Sequence, residues 1–183
     1  MKSSTKRSAP VDFLSDEEIG LDARAHADDH LDVKIWLRLL ACSTQIKQNI
    51  RQNLRVRFGT TLARFDYLAQ LERHPEGLRM QTLSRYLMVT SGNVTGLTDQ
   101  LVIENLVERV NDPDDRRSWL IRLTPKGRAE FAEMAAEHER WLIDLFKGIP
   151  LPAKEALNEQ LARLRVQVSA AASKSKPKGR SKT

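Results

Sequence analysis

The chain is 183 residues long, with 30 Lys and Arg against 24 Asp and Glu, a net charge of +6, and 40% apolar residues. That is enough chain for one domain with a real core, and it contains no run of about 20 apolar residues to make a transmembrane helix. The basic opening MKSSTKRSAP has no apolar stretch behind it, so no secretory signal is expected; the one cysteine, Cys42, offers no disulfide within the chain and fits a reducing cytoplasm.

The positive charge sits at the ends. Residues 1–10 and 173–183 hold eight Lys or Arg and no acid, which leaves 22 bases and 24 acids between them. The net charge is therefore weak evidence for a basic face on the folded body. Residues 1–12, polar with Pro10, are expected to be a disordered arm, and the low-complexity basic run 173–183 a disordered tail. A single folded chain is expected over 13–172.

Residues 13–30 offer a short acidic helix, with Ser15 to Glu18 in the pattern of a capping box. Leu31 to Phe58 reads as one long helix, because Ile35, Leu39, Cys42, Ile46, Ile50 and Leu54 recur every three or four residues. Gly59 is its stop signal. Cys42 lies on that apolar stripe and is expected to be a buried thiol. A second helix spans about 62–73, ended by His74-Pro75 and Gly77. Two short helices follow, at about 79–87 and 91–104. Strands at about 106–111 and 118–123 then enclose a turn cluster, Asn111 to Arg117, that ends in paired arginines. Two short helices and a basic-tipped hairpin make a winged helix-turn-helix, which places one helix in the DNA major groove and the hairpin against the backbone or minor groove.

Thr124 and Pro125 suit the N-cap and first turn of another long helix, to about Phe146. Gly148 and Pro150 break it. A last helix over about 152–172 carries Leu157, Leu161, Leu164 and Val168 at helical spacing, and no internal repeat is present. The expected fold class is mainly α with a small β-hairpin wing. Dimerisation helices (13–58 and 126–172) flank a winged helix-turn-helix at about 62–124. Apolar stripes on the terminal helices need a partner surface, and a two-fold dimer with interlocking termini supplies one. Such a dimer also sets two recognition helices about one DNA turn apart, as a palindromic operator requires.

The stretches LSRYLMVTSGNVTGLTDQL (83–101) and LVERVNDPDDRRSWLIRLTPKGR (106–128) resemble the MarR (multiple antibiotic resistance regulator) family of bacterial transcription factors. The resemblance covers roughly residues 31–172. Asp115-Arg116-Arg117-Ser118 followed by Leu123-Thr124 is similar to the family's wing. Where the family usually has Gly after the recognition helix, this chain has Asn105, the next most tolerant residue of the left-handed conformation.

Along the recognition helix, Val94, Leu97 and Leu101 form the buried stripe, leaving Ser91, Asn93, Thr95, Gly96 and Gln100 toward DNA or, more plainly, toward solvent. Asn and Gln suit base edges, Ser and Thr suit bases or phosphates, and Gly96 permits close approach. The resemblance implies that Arg117 enters the minor groove with Asp115 bracing it and Arg116 beside it; the alternative is a solvated turn with local ion pairs. Arg85 and Arg79 are candidate phosphate contacts.

Lys47, Arg51 and Arg55 lie four residues apart on one face of the long helix. They form a solvated face, a partner for the acidic segment 12–30, or a site for DNA phosphate or an anionic effector. The segment from Trp36 to Met80 resembles the branch of the family that controls aromatic-acid catabolism, some of whose members bind acyl-CoA thioesters such as p-coumaroyl-CoA. That resemblance implies an apolar pocket from Trp36, Leu40, Phe65 and Tyr67, with Arg38, Lys47, Arg51 and Arg64 meeting the phosphates of an aromatic carboxylate's CoA thioester.

No Gly-rich phosphate loop, metal cluster or nucleophile motif is present, so no enzyme and no cofactor is expected. Among the histidines, His26 and His30 alone have helical ligand spacing. The leading expectation is a homodimeric, sequence-specific regulator of double-stranded DNA, a repressor released by a small anionic aromatic ligand. A non-specific architectural DNA binder acting through its basic tails is the alternative.

Overall fold

The computed structural model describes residues 31–115 and 118–174. The acidic helix and the His26/His30 pair expected within 13–30 lie outside them, as do the two arginines of the wing and the end of the basic tail. The described chain falls into two units that divide between Trp141 and Leu142.

The first unit opens with helix α1 (Leu31–Phe58), and Gly59 ends it at φ +62. Only its C-terminal turns pack: Ile50 and Leu54 are buried, whereas Leu31, Ile35, Trp36 and Leu40 are exposed. Cys42 is exposed as well, so the expectation of a buried thiol is corrected. The apolar stripe is real in the sequence, but among the described residues its N-terminal half has no core against it.

Helix α2 (Leu62–Glu72) is the centre of the core. Thr61 caps it by accepting from the Arg64 amide. Its Phe65, Tyr67, Leu68 and Leu71 are all buried, and with Leu54, Leu83, Val94, Leu101, Val107 and Ile121 they make one apolar cluster. Strand β1 (Leu78–Arg79) leads into α3 (Met80–Leu87), and α4 (Ser91–Ile103) follows a turn in which Met88 takes a left-handed conformation, φ 53. Thr90 caps α4 by accepting from the Asn93 amide. Asn105 adopts φ 58, as its tolerance of that region led one to expect.

The hairpin is β2 (Val107–Asn111) and β3 (Trp119–Leu123), but the sheet has three strands, ordered β1-β3-β2 and antiparallel throughout. A two-residue strand shows no sequence period, so β1 was not foreseen. Gly77, at φ +97, makes it fit: a Cβ there would lie 3.0 Å from the Ile121 carbonyl oxygen.

Helix α5 (Pro125–Leu145) begins as expected, with Thr124 Oγ1 accepting from the Gly127 amide at 2.9 Å. Gly127 itself is required by a close approach: a Cβ there would lie 1.9 Å from the Leu106 carbonyl oxygen. Buried Glu137 on α5 accepts from Arg57 of α1 at 2.8 Å and also pairs with Arg140.

The second unit holds helix α6 (Leu151–Lys174), longer than expected at both ends. Its Leu151, Leu157, Leu161, Leu164 and Val168 are exposed in this single chain, and Glu159 and Arg163 pair one turn apart at 2.5 Å. No described helix is long and apolar enough to cross a membrane.

Candidate nucleic-acid interface

Helix α4 is anchored by Val94, Thr98 and Leu101 and half-buried Leu97. Thr98 was missed as a core residue because a hydroxyl reads as surface. Here its Oγ1 donates to the Val94 carbonyl at 2.7 Å, one turn back in its own helix. Its one proton is thereby used, so the buried Tyr67 hydroxyl donates to it across 2.6 Å. Burial pushes the Tyr67 phenol up to about 12, against a smaller downward pull from the bond to Thr98. Tyr67 is thus an un-ionised core residue that fixes the rotation of α4.

With that rotation set, Ser91, Asn93, Thr95, Gly96 and Gln100 are all exposed. They do not share one face. At about 100° per residue, Asn93, Gly96 and Gln100 lie on one flank, while Ser91, Thr95 and Asp99 lie on the other. The wing is attached on the second flank, where Arg109 of β2 forms an ion pair with Asp99. Gly96 leaves open space: a Cβ there would meet nothing within 4 Å. Arg85, in the last turn of α3, is exposed.

At the wing, Asp115 is exposed; its amide donates to the Asp112 carbonyl at 3.3 Å, and its own carbonyl accepts from Ser118 at 2.8 Å. Arg116 and Arg117 lie outside the described residues. Asp112 is the buried aspartate of this turn, and Arg79 Nε donates to its Oδ2 at 2.6 Å. Trp119, 52% exposed, stands at the wing end of β3 opposite Asn111. Sequence reading passed over Asp112, Asp99 and Trp119; a tryptophan beside an aspartate-rich turn was the available signal.

The first flank of α4 lines an open cleft of about 770 Å³ shared with α1 and α2. Arg51, Arg55 and Asp66 supply its charge, and Leu62, Leu87, Val89 and Leu97 are among its apolar walls. Burial raises the Asp66 carboxyl above its ordinary range, and His138, Lys47, Arg51 and Arg73 pull it back.

Comparison with known proteins agrees with this geometry. A family model described as the MarR family matches residues 58–118. The chain is 26% identical over 145 residues to an uncharacterized HTH-type transcriptional regulator, YdgJ, of Bacillus subtilis, covering 74% of this chain and 88% of that one. It is 29% identical over 118 residues to the transcriptional activatory protein BadR of Rhodopseudomonas palustris, covering 63% and 67%. The winged-helix stretch 58–118 is thus similar to that of the MarR family. A crystal structure of a MarR-family regulator from Silicibacter pomeroyi superposes with a TM-score of 0.63 at 29% identity, covering 79% of this chain and 99% of that one. One from Rhodococcus sp. RHA1 gives 0.64 at 23% identity, covering 75% and 96%.

Within this MarR-type fold, the residues expected to form an effector pocket are not brought together. Tyr67 is bonded to Thr98 in the core, and Phe65 is buried between the rings of Phe131 and His138, with centroids 5.5 and 4.8 Å away. Arg64 is held by Glu104 in a two-pronged pair, Nη1 to Oε1 at 2.8 Å and Nη2 to Oε2, so both its Nη groups are taken up by the residue that caps the C-terminal end of α4. Trp36, Arg38 and Leu40 are exposed on the early turns of α1, roughly 20 Å along the helix from Arg51. Of the eight residues, Arg51 alone lines the cleft. Lys47, one turn before it, acts on Asp66 electrostatically. The physical reason is common to Phe65 and Tyr67: in a helix apolar on one side, aromatics belong to the core before they belong to a ligand. Among the described residues no group of three or more His, Cys, Asp or Glu side chains is placed to hold a metal ion.

Proposed function

We propose that this chain is a sequence-specific DNA-binding transcriptional regulator that acts as a homodimer. Helix α4 enters the major groove and the wing follows the adjacent backbone and minor groove. The observation that carries this reading is the pairing of the two DNA elements: α4 offers an exposed polar face, and the Arg109–Asp99 ion pair ties the wing to it. The exposed apolar residues of α1, and separately those of α6, support a dimer, since a single chain leaves each stripe in water. Arg117 is the minor-groove residue in this reading, with Asp115 and Arg116 beside it.

The test is selection of binding sites by the full chain from random duplex DNA. A regulator recovers one palindrome and prefers it by ~10³-fold or more over random sequence. Arg117→Ala then weakens that binding by ~1–3 kcal/mol. Uniform binding lost with the basic ends would instead make the chain an architectural DNA binder.

The regulator is a repressor released by a small anionic aromatic ligand, and the open cleft is where the ligand sits. Its volume suits a small molecule, and Arg51 and Arg55 face Leu62, Leu87, Val89 and Leu97 across it. A panel of aromatic acids and their CoA thioesters, p-coumaroyl-CoA among them, identifies the ligand by release of the selected operator. Similarity to BadR, a transcriptional activatory protein, favours activation as a second reading. A reporter driven from the selected site decides the sign.

A further inference from the structure

The contact between Arg79 and Asp112 lies outside both the recognition helix and the wing arginines. The register of the sheet brings it about. Arg79 pairs with Leu120, and Leu120 pairs with Val110, so the three side chains share one face of the sheet. Asp112, two residues beyond Val110, continues that face into the wing turn. Arg79 Nε donates to Asp112 Oδ2 at 2.6 Å, with the aspartate side chain 3% exposed and the arginine 47% exposed.

Asp112 also organises the turn that it opens. Its Oδ1 accepts from the Asp114 amide at 3.0 Å. Its own amide donates to the Ser118 carbonyl at 3.2 Å, and its carbonyl accepts from the Asp115 amide at 3.3 Å. One residue therefore holds both sides of the loop that carries the wing tip, and its carboxylate is fastened to the residue immediately ahead of α3. The bond to Arg79 holds the Asp112 carboxyl below its ordinary range, so the pair is ionic at neutral pH.

We propose that Arg79 and Asp112 are positioning residues for DNA binding: the pair fixes the wing loop relative to the helix-turn-helix, and the wing reaches DNA only in that pose. The inference rests on the DNA-binding reading above and adds to it an acidic residue that helps binding without touching DNA. The sign is diagnostic. By charge alone, removing an aspartate beside DNA tightens binding and removing an arginine weakens it. A positioning pair weakens binding when either member is lost.

The experiment uses the full chain, the palindrome it selects, and the variants Asp112→Asn, Arg79→Gln and the double variant. Asn keeps the oxygen that accepts from Asp114 and loses the charge. Each single variant is expected to bind about tenfold more weakly, and the double variant no more weakly than either single one. The dependence on salt stays unchanged in Asp112→Asn. In DNA-free protein, amide exchange at Asp114, Asp115 and Ser118 quickens in both single variants. Binding by Asp112→Asn as tight as, or tighter than, the parent overturns the proposal. So does a loss confined to Arg79→Gln with the salt slope reduced by about one, which would make Arg79 a phosphate ligand. If Asp112→Asn does not fold, Arg79→Lys takes its place: it keeps the charge, loses the Nε donor, and is expected to bind as weakly as Arg79→Gln; full affinity overturns the proposal. Failure of the parent chain to select any sequence removes the DNA-binding reading, while the exchange measurement still tests the brace.

Discussion

Tyr67 on α2 and Thr98 on the recognition helix share a 2.6 Å hydrogen bond in the middle of the apolar core, with neither side chain open to water. Because Thr98 spends its proton on the Val94 carbonyl, Tyr67 has one acceptor and the helix one rotation that satisfies both. Tyr67→Phe removes the donor and leaves Thr98 bonded to Val94. The expected cost is ~1 kcal/mol of stability, read as a lower urea midpoint at constant slope. A cost several times larger would mean that the ring, not the hydroxyl, had moved. The phenol also sets an alkaline limit. Its folded pKa, about 12, lies above the unfolded value near 10, so its contribution is intact below 10 and is lost as pH rises from there toward 12. The fall over that window is expected to be smaller in Tyr67→Phe.

Gly127 gives a sharper steric test. Its missing side chain lets α5 lie against the Leu106 carbonyl, with 1.9 Å where a methyl would go. The obstacle is backbone and cannot swing aside. Gly127→Ala is expected to destabilise by ~3 kcal/mol despite alanine's better helix propensity. Thermal unfolding checks it; a stabilised variant would show that α5 can shift along the sheet at little cost.

A pH dependence near neutrality is expected from His138. Burial pushes its imidazole below the ordinary 6.5, against a smaller upward pull from Asp66. Between the lowered folded value and 6.5 the unfolded chain binds more protons than the folded one. Stability therefore rises with pH through this window and levels off above it. His138→Gln is expected to flatten the rise when urea midpoints are compared at about pH 5.5 and 7.5. An equal rise in both proteins assigns it to other groups.

The cleft makes a prediction about charge. Arg51→Ala is expected to weaken binding of the anionic ligand by ~1–3 kcal/mol, measured by calorimetry, whereas Trp36→Ala leaves ligand binding alone because Trp36 does not line the cleft. The opposite ranking would move the ligand to the early turns of α1.

The order of elements was legible in the sequence because each carries a period or a stop. Helix α1 has its stripe and Gly59; α5 has Thr124 and Pro125 at its start. Strand β1 was not legible, since two residues carry no period and its pairing with β3 is a long-range fact. The recognition helix was placed within a residue at each end. Its division into two flanks was not, because that depends on what packs beside it: Arg109 on one side, α1 and α2 on the other. The pocket residues failed for a related reason. Periodicity shows that Phe65 and Tyr67 face inward but not whether a ligand or a neighbouring side chain meets them. Arg64 read as a free base because Glu104, its partner, stands 40 positions away.

Three residues of α4, Asn93, Gly96 and Gln100, belong at once to the outer surface of the helix and to the wall of the cleft. A substitution at any of them changes both surfaces together. On the function proposed above, operator preference and ligand response are therefore not separate traits. Under that proposal, a lineage that drifts toward a new ligand at these codons carries its target sites along.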